Sequence, residues 1–225
     1  MNKPREYLEV HYDSKKRPIT EYPGKLAKEL LRKHNLKING TLLEVGVGRP
    51  DVAIGFKNVG FQVFGCDISK TSAMQCKEAG IKFKYVDLFK EKLPYASNYF
   101  DVVYSKSVIE HMNDPLNFIN ECFRVLKPGG KIIVLTPDWE ANYKIFFDDF
   151  THVRPMSRRS MQFILSMQES KDLNVYRFRQ LPRTWRNPVV NGLSSLVSHF
   201  VPVTSKIKVL RWSRELMLAG VATKR

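Results

Sequence analysis

The chain has 225 residues, 43% of them hydrophobic, and its 37 lysines and arginines against 22 acids give a net charge of +15. That length suffices for one α/β domain with a sizeable core, and no window comes near the roughly 20 continuous apolar residues of a membrane span. Cys66, Cys76 and Cys122 are odd in number and form no CxxC pair, which excludes a disulfide framework and a cysteine zinc site at recognisable spacing.

The first ten residues, MNKPREYLEV, carry charges where an export signal has its apolar stretch, so the expected setting is the reduced cytoplasm. Residues 1–20 read as a polar arm. Pro23 to His34 reads as a helix, with Leu26, Leu30 and Leu31 at helical spacing and Pro23 at its start. Asn39-Gly40 is a turn. Thr41 to Gly46 (TLLEVG) is predicted as a strand, Asp51 to Val59 as a helix stopped by Gly60, and FQVFGCDIS as a second strand. Thr71 to Ala79 reads as a helix ended by Gly80, IKFKYVDL as a third strand, and FDVVYS as a fourth. A helix over Pro115 to Val125 follows, then a Pro128-Gly129-Gly130 turn and the strand KIIVLTP. Strands at this spacing with helices between them predict parallel βαβ units, wound right-handedly, with ligands at the strands' C-terminal ends. Further on, NVYRFRQ and ELMLAGVATK read as two more strands.

The strand ends carry the chemistry. In TLLEVGVGRP, Glu44 stands just ahead of Gly46 and Gly48, and glycine lets backbone approach a ligand closely. A carboxylate there repels a pyrophosphate but welcomes an amine or a sulfonium. The spacing also departs from the dinucleotide fingerprint GxGxxG, because Asp51 stands where its third glycine belongs and an acid at that helix N-terminus opposes a phosphate. Asp67 ends the second strand, where an acid can hold both ribose hydroxyls. Asp87 ends the third, placed for an adenine amino group with Leu88 against the ring. Any one of these acids could be a helix cap. Three at consecutive strand ends point to a ligand site.

Taken together, LLEVGVG (42–48), GCDIS (65–69), VDL (86–88), FDVVYSKSVIEHMNDP (100–115) and VLKPGGKIIVLTP (125–137) resemble the class I S-adenosylmethionine-dependent methyltransferases, over roughly residues 40–137. The resemblance implies a Rossmann-like, doubly wound sheet of seven strands, mostly parallel with the last antiparallel and helices on both faces. It implies S-adenosylmethionine as cofactor, with Glu44, Gly46 and Gly48 along its methionine end, Asp67 and Ile68 at the ribose, Asp87 and Leu88 at the adenine, and Ser105 and Lys106 on its other side. The family often carries a third glycine where this chain has Pro50, which stiffens the turn. The whole chain is then one domain: an arm over 1–22, a cofactor core over 40–137, and a substrate-side part over 138–225 with an insertion at about 182–213.

Methyl transfer needs alignment of the nucleophile and, for some acceptors, a base. His152, in DDFTHVRPMS after the fifth strand, and His111, in IEHMNDP after the fourth, are the candidate catalytic residues; each has a structural reading beside it. THVRPMS also resembles stretches in sugar- and polysaccharide-associated members of the family. No metal-ligand cluster stands at recognisable spacing, so no metal is expected.

The acceptor side is strongly basic, with Arg154, Arg158, Arg159, Arg177, Arg179, Arg183 and Arg186 followed by Lys206, Lys208, Arg211 and Arg214. Among them, Pro188 to Thr204 contains no Asp, Glu, Lys or Arg, and Leu193, Leu196, Val197, Phe200 and Val201 recur at helical spacing. Two readings stand open, a packed lid or an amphipathic helix on an anionic membrane surface spanning 183–214. The expected function is methylation of a small-molecule, sugar, glycan or lipid-linked acceptor, in the cytoplasm and at the membrane periphery on the second reading. Three alternatives remain open: methylation of RNA or another nucleic acid, which the charge favours but no binding module supports, cofactor binding without turnover, and, more weakly supported, an NAD-dependent oxidoreductase.

Overall fold

The computed structural model describes residues 18–201, 207, 214 and 216–225; most of the N-terminal arm, including Tyr7 and Tyr12, and residues 202–206, 208–213 and 215 lie outside them. The strands are β1 (Thr41–Val45), β2 (Gln62–Asp67), β3 (Lys82–Tyr85), β4 (Phe100–Lys106), β5 (Leu126–Pro137), β6 (Ser170–Arg179) and β7 (Leu216–Lys224). The helices are α1 (Tyr22–Lys33), α2 (Asp51–Asn58), α3 (Lys70–Glu78), α4 (Pro115–Val125), the short α5 (Trp139–Asn142), α6 (Arg158–Ser166) and α7 (Pro188–Phe200).

One seven-stranded sheet runs in the order β3-β2-β1-β4-β5-β7-β6. Its pairs are parallel through β5, and β7 lies antiparallel between β5 and β6. The chain order reverses between β1 and β4, the switch point at which such sheets open a crevice beyond their strand ends. Alternation within β1 fixes the two layers. Leu42 packs with Leu26, Leu30 and Phe56 from α1 and α2, whereas Leu43 packs with Phe118, Ile119 and Cys122 from α4. Burying side chains of this size contributes about 1.5–3 kcal/mol each. That outweighs the roughly 1 kcal/mol of a single cap such as Asp114, whose carboxylate accepts the Asn117 N–H at 2.9 Å. Packing therefore sets where α4 lies and the cap trims its start. All three cysteines are buried free thiols.

Several expected boundaries move; β6, for one, begins at Ser170 rather than at Asn174. β3 ends at Tyr85, so Asp87 stands two residues past the strand rather than at its end. The cause is the neighbour: Tyr85 pairs with Asp67, the last residue of β2, and Val86 N–H makes one final bond to the Asp67 carbonyl. Pro128-Gly129-Gly130 does not separate helix from strand. β5 already begins at Leu126, opposite Phe100, and the run forms an irregularity before Lys131 pairs with Val102. The uncharged insertion forms α7, capped by Asn187, whose side chain accepts the Val190 N–H at 3.0 Å.

Candidate active site

β1 delivers Glu44 to the sheet interior on the α1–α2 side. Its side chain is 4% exposed, and Oε2 has no hydrogen-bond partner. Burial pushes the Glu44 carboxyl well above the ordinary carboxylate range, with Asp51 and Asp67 adding to the rise; Lys106 and a hydrogen bond from the Ala53 backbone oppose it. Lys106, at the end of β4, is held below the usual lysine range by burial, against the pull of Glu44 and Glu110. Its Nζ lies 5.5 Å from the ring centroid of Tyr22 at the start of α1.

The turn after β1 is built on left-handed backbone, with φ of +70° at Gly46 and +50° at Gly48. A Cβ on Gly46 would stand 2.3 Å from Val108 Cγ2, so glycine is demanded by conformation and by space. Asp67 fastens this turn to β2. Its Oδ2 accepts the Gly48 N–H at 2.8 Å and its Oδ1 accepts the Ser69 N–H at 2.9 Å. Beside it, just past the end of β2, Ile68 is 47% exposed and offers an apolar surface. Asp51, the acid in place of a third glycine, pairs with Arg49 at 2.6 Å. Pro50 is buried at the cap of α2.

Asp87 sits in a turn, where it accepts the Phe89 N–H at 3.1 Å and pairs with Lys90 at 3.1 Å. Leu88 packs against the α4-side core. Ser105 is buried, and its hydroxyl donates to the Val45 carbonyl at 3.1 Å, tying β4 to β1.

The segments leaving β4 and β5 meet in a way that sequence spacing does not reveal. The excursion after β5 folds back so that the N–H groups of Val153 and Arg154 both donate to the Glu110 carbonyl at 2.9 Å. This brings His111 and His152, 41 positions apart, to a ring-centroid separation of 4.8 Å. His111 Nδ1 lies 3.1 Å from the Thr151 carbonyl, and His152 Nδ1 lies 2.6 Å from the Phe146 carbonyl. Burial lowers the His111 pKa, with the Thr151 hydrogen bond opposing. Glu110, which sequence reading passed over, is fully buried beside them. Burial pushes its carboxyl up to about 7, although Thr136, Ser107 and its own backbone oppose the rise. Its one sequence signal was an acid directly before a histidine at a strand end.

Residues 43–134 match the profile of a methyltransferase domain. Over 101 residues the chain is 37% identical to a ubiquinone biosynthesis O-methyltransferase of Caulobacter vibrioides, a stretch covering 43% of this chain and 40% of that relative. An enzyme of the same name from Cereibacter sphaeroides is 31% identical over 99 residues, covering 42% of this chain and 40% of its own length. The similarity thus spans well under half of these relatives. A solved S-adenosylmethionine-dependent methyltransferase from Archaeoglobus fulgidus aligns over 97% of this chain and 100% of its own, with a TM-score of 0.67 at 18% identity, a likeness of fold.

Proposed function

Taking the chain as a class I S-adenosylmethionine-dependent methyltransferase by its fold and its domain, we propose that it moves the sulfonium methyl of S-adenosylmethionine to an oxygen of a small-molecule acceptor with a lipid-like part. The observation that carries the cofactor half is the buried, unpartnered Oε2 of Glu44 next to a left-handed glycine turn. A buried carboxyl without a partner costs stability, and a cationic amino group or sulfonium brought to it recovers that cost. Asp67 is held rigid by two backbone N–H groups and accepts the ribose hydroxyls; Ile68 and Leu88 offer apolar surface to the adenine, with Asp87 near its amino group. The cofactor supplies an electrophilic methyl group, and the chain's residues orient it and keep the crevice polar only where the ligand is polar.

The acceptor half is read from β4 and β5. His111 and His152 stand past those strand ends, with both Nδ1 atoms committed to backbone carbonyls. Their Nε2 atoms are left to act on an acceptor hydroxyl, directly or through a bound ion. The oxygen assignment draws on the name of the relatives, an O-methyltransferase in ubiquinone biosynthesis.

The lipid-like part draws on α7. Among the described residues no helix is long and apolar enough to cross a membrane. α7 nevertheless turns its apolar side outward: Leu196 is 65% exposed and Phe200 88%, while Ser194 and Ser198 are buried. Arg183 and Arg186, just ahead of it, are exposed. An inverted helix with a basic entry suits an anionic bilayer surface, where apolar side chains enter the interface and arginines meet head groups.

Labelled methyl transfer from S-adenosylmethionine into fractionated cell extract tests the reading. Label in the lipid-soluble fraction, resistant to mild acid and base as an ether is, supports it. Label confined to protein or nucleic acid refutes the acceptor class.

A further inference from the structure

We infer that Glu110, His111 and His152 form a binding site for a divalent transition-metal ion of the zinc class. One ligand atom from each of the three lies within 4.8 Å of the others. Two imidazoles and one carboxylate suit zinc and its neighbours better than magnesium or calcium.

The hydrogen bonds around the cluster argue for ligation. Thr151 Oγ1 donates to Asp149 Oδ1 at 2.6 Å, so toward His111 it can only accept, as its own carbonyl does. Nδ1 of His111 is therefore the protonated nitrogen, and Nε2 carries the lone pair. The Phe146 carbonyl imposes the same tautomer on His152. Imidazoles whose Nδ1–H is tied to a backbone carbonyl and whose Nε2 is open are the arrangement metal-ligating histidines adopt. Glu110 supplies the anionic member. Its Oε2 accepts from Thr136 Oγ1 at 3.0 Å, while Oε1, fully buried, has no hydrogen-bond partner. A buried carboxyl oxygen without a hydrogen-bond partner, beside two imidazole lone pairs, suits a bound cation. Asp149 Oδ2, 4.0 Å from His152 Nε2, adds negative charge at the cluster's edge.

The consequence for the reaction rests on the proposed methyl transfer. A hydroxyl acceptor bound through its oxygen to the ion gives up its proton to solvent more readily. The oxygen's lone pair then forms the O–C bond, and the C–S bond breaks with its electron pair kept by sulfur.

The test uses the full chain after chelation and titrates it with Co2+, read by its visible absorption, and with Zn2+, read by bound metal after desalting. One equivalent of either ion is expected. His111→Gln, His152→Gln and Glu110→Gln should each weaken binding tenfold or more, with circular dichroism matching the parent. No bound metal in the folded parent, or one equivalent that all three variants retain unchanged, overturns the site. Calorimetry with S-adenosylhomocysteine on the same samples separates the two readings. Metal without nucleoside binding sinks the methyl-transfer reading alone, and nucleoside without metal sinks this site alone.

Discussion

Asp67 holds Gly48: a carboxylate at the end of β2 accepts, at 2.8 Å, the N–H of the glycine turn that leaves β1. The same side chain that is placed to receive ribose hydroxyls therefore also shapes the turn that lines the methionine end of the cofactor. A ligand touching either half finds the other already positioned.

Substitution at this position separates the two duties. Asp67→Asn keeps an acceptor for one N–H but removes the charge. Asp67→Ala removes both ribose bonds and the tie to Gly48. Losing hydrogen bonds to a charged acceptor costs about 1.5–3 kcal/mol each. Calorimetry should therefore show S-adenosylhomocysteine binding weakened by at least tenfold in Asp67→Asn and further in Asp67→Ala. Equal affinity for parent and Asp67→Ala would remove Asp67 from the site.

Much of this was open to sequence reading, because the pattern and the physics agree there. Leu42, Leu43 and Val45 read as a buried strand and form one, and Pro115 to Val125 reads as a helix and is one. Local signals misled where a neighbour decides. IKFKYVDL looks like eight residues of strand, but β2 stops at Asp67, so after one last bond from Val86 the chain at Asp87 has no pairing edge. The His111–His152 pair was invisible as a pair, because nothing local in DDFTHVRPMS states that Val153 and Arg154 will bond back to the Glu110 carbonyl. Glu110 itself was passed over, since an acid in IEHMNDP reads as a solvated turn residue until burial is known.

Glu44 predicts a trade between stability and binding. Its carboxyl titrates well above its ordinary value of 4.5 because it is buried. The folded chain then holds a proton that the unfolded chain releases, so this stabilisation is full below about pH 4.5 and declines as pH rises toward the folded-state pKa. Glu44→Gln, which has no charge to desolvate, should melt higher than the parent at pH 8, with a smaller difference at pH 5. It should also bind S-adenosylhomocysteine more weakly. A melting difference that shrinks as pH rises would contradict the burial argument.

His34 gives a pH effect of its own. Nε2 contacts the Tyr176 hydroxyl at 2.8 Å, and burial, with Lys33 and Lys131 adding to it, lowers the imidazole pKa from 6.5 to about 4. The unfolded chain binds the proton first, so stability is full above about pH 6.5 and falls as pH drops toward 4. The loss amounts to about 3 kcal/mol at most. In urea titrations the parent should lose more stability than His34→Gln between pH 7 and pH 4.5. Parallel curves would show that His34 does not carry the effect.

The outward face of α7 can be tested without disturbing the core. Leu193, Leu196 and Phe200 are exposed, so changing all three to Ser should leave the melting temperature within a few degrees. Co-sedimentation with vesicles containing anionic lipid should fall severalfold, and parent binding to purely neutral vesicles should be weak. Equal sedimentation of parent and triple variant would detach α7 from the membrane reading.

The most direct measurement for the central claim is calorimetric titration of the full chain with S-adenosylhomocysteine and, separately, with NAD. One saturable site for S-adenosylhomocysteine, weakened in Asp67→Ala and in Glu44→Gln, with no site for NAD, is the predicted result. Saturable binding of NAD with none of S-adenosylhomocysteine would contradict the reading of Glu44, the glycine turn and Asp67 as a methyl-donor pocket.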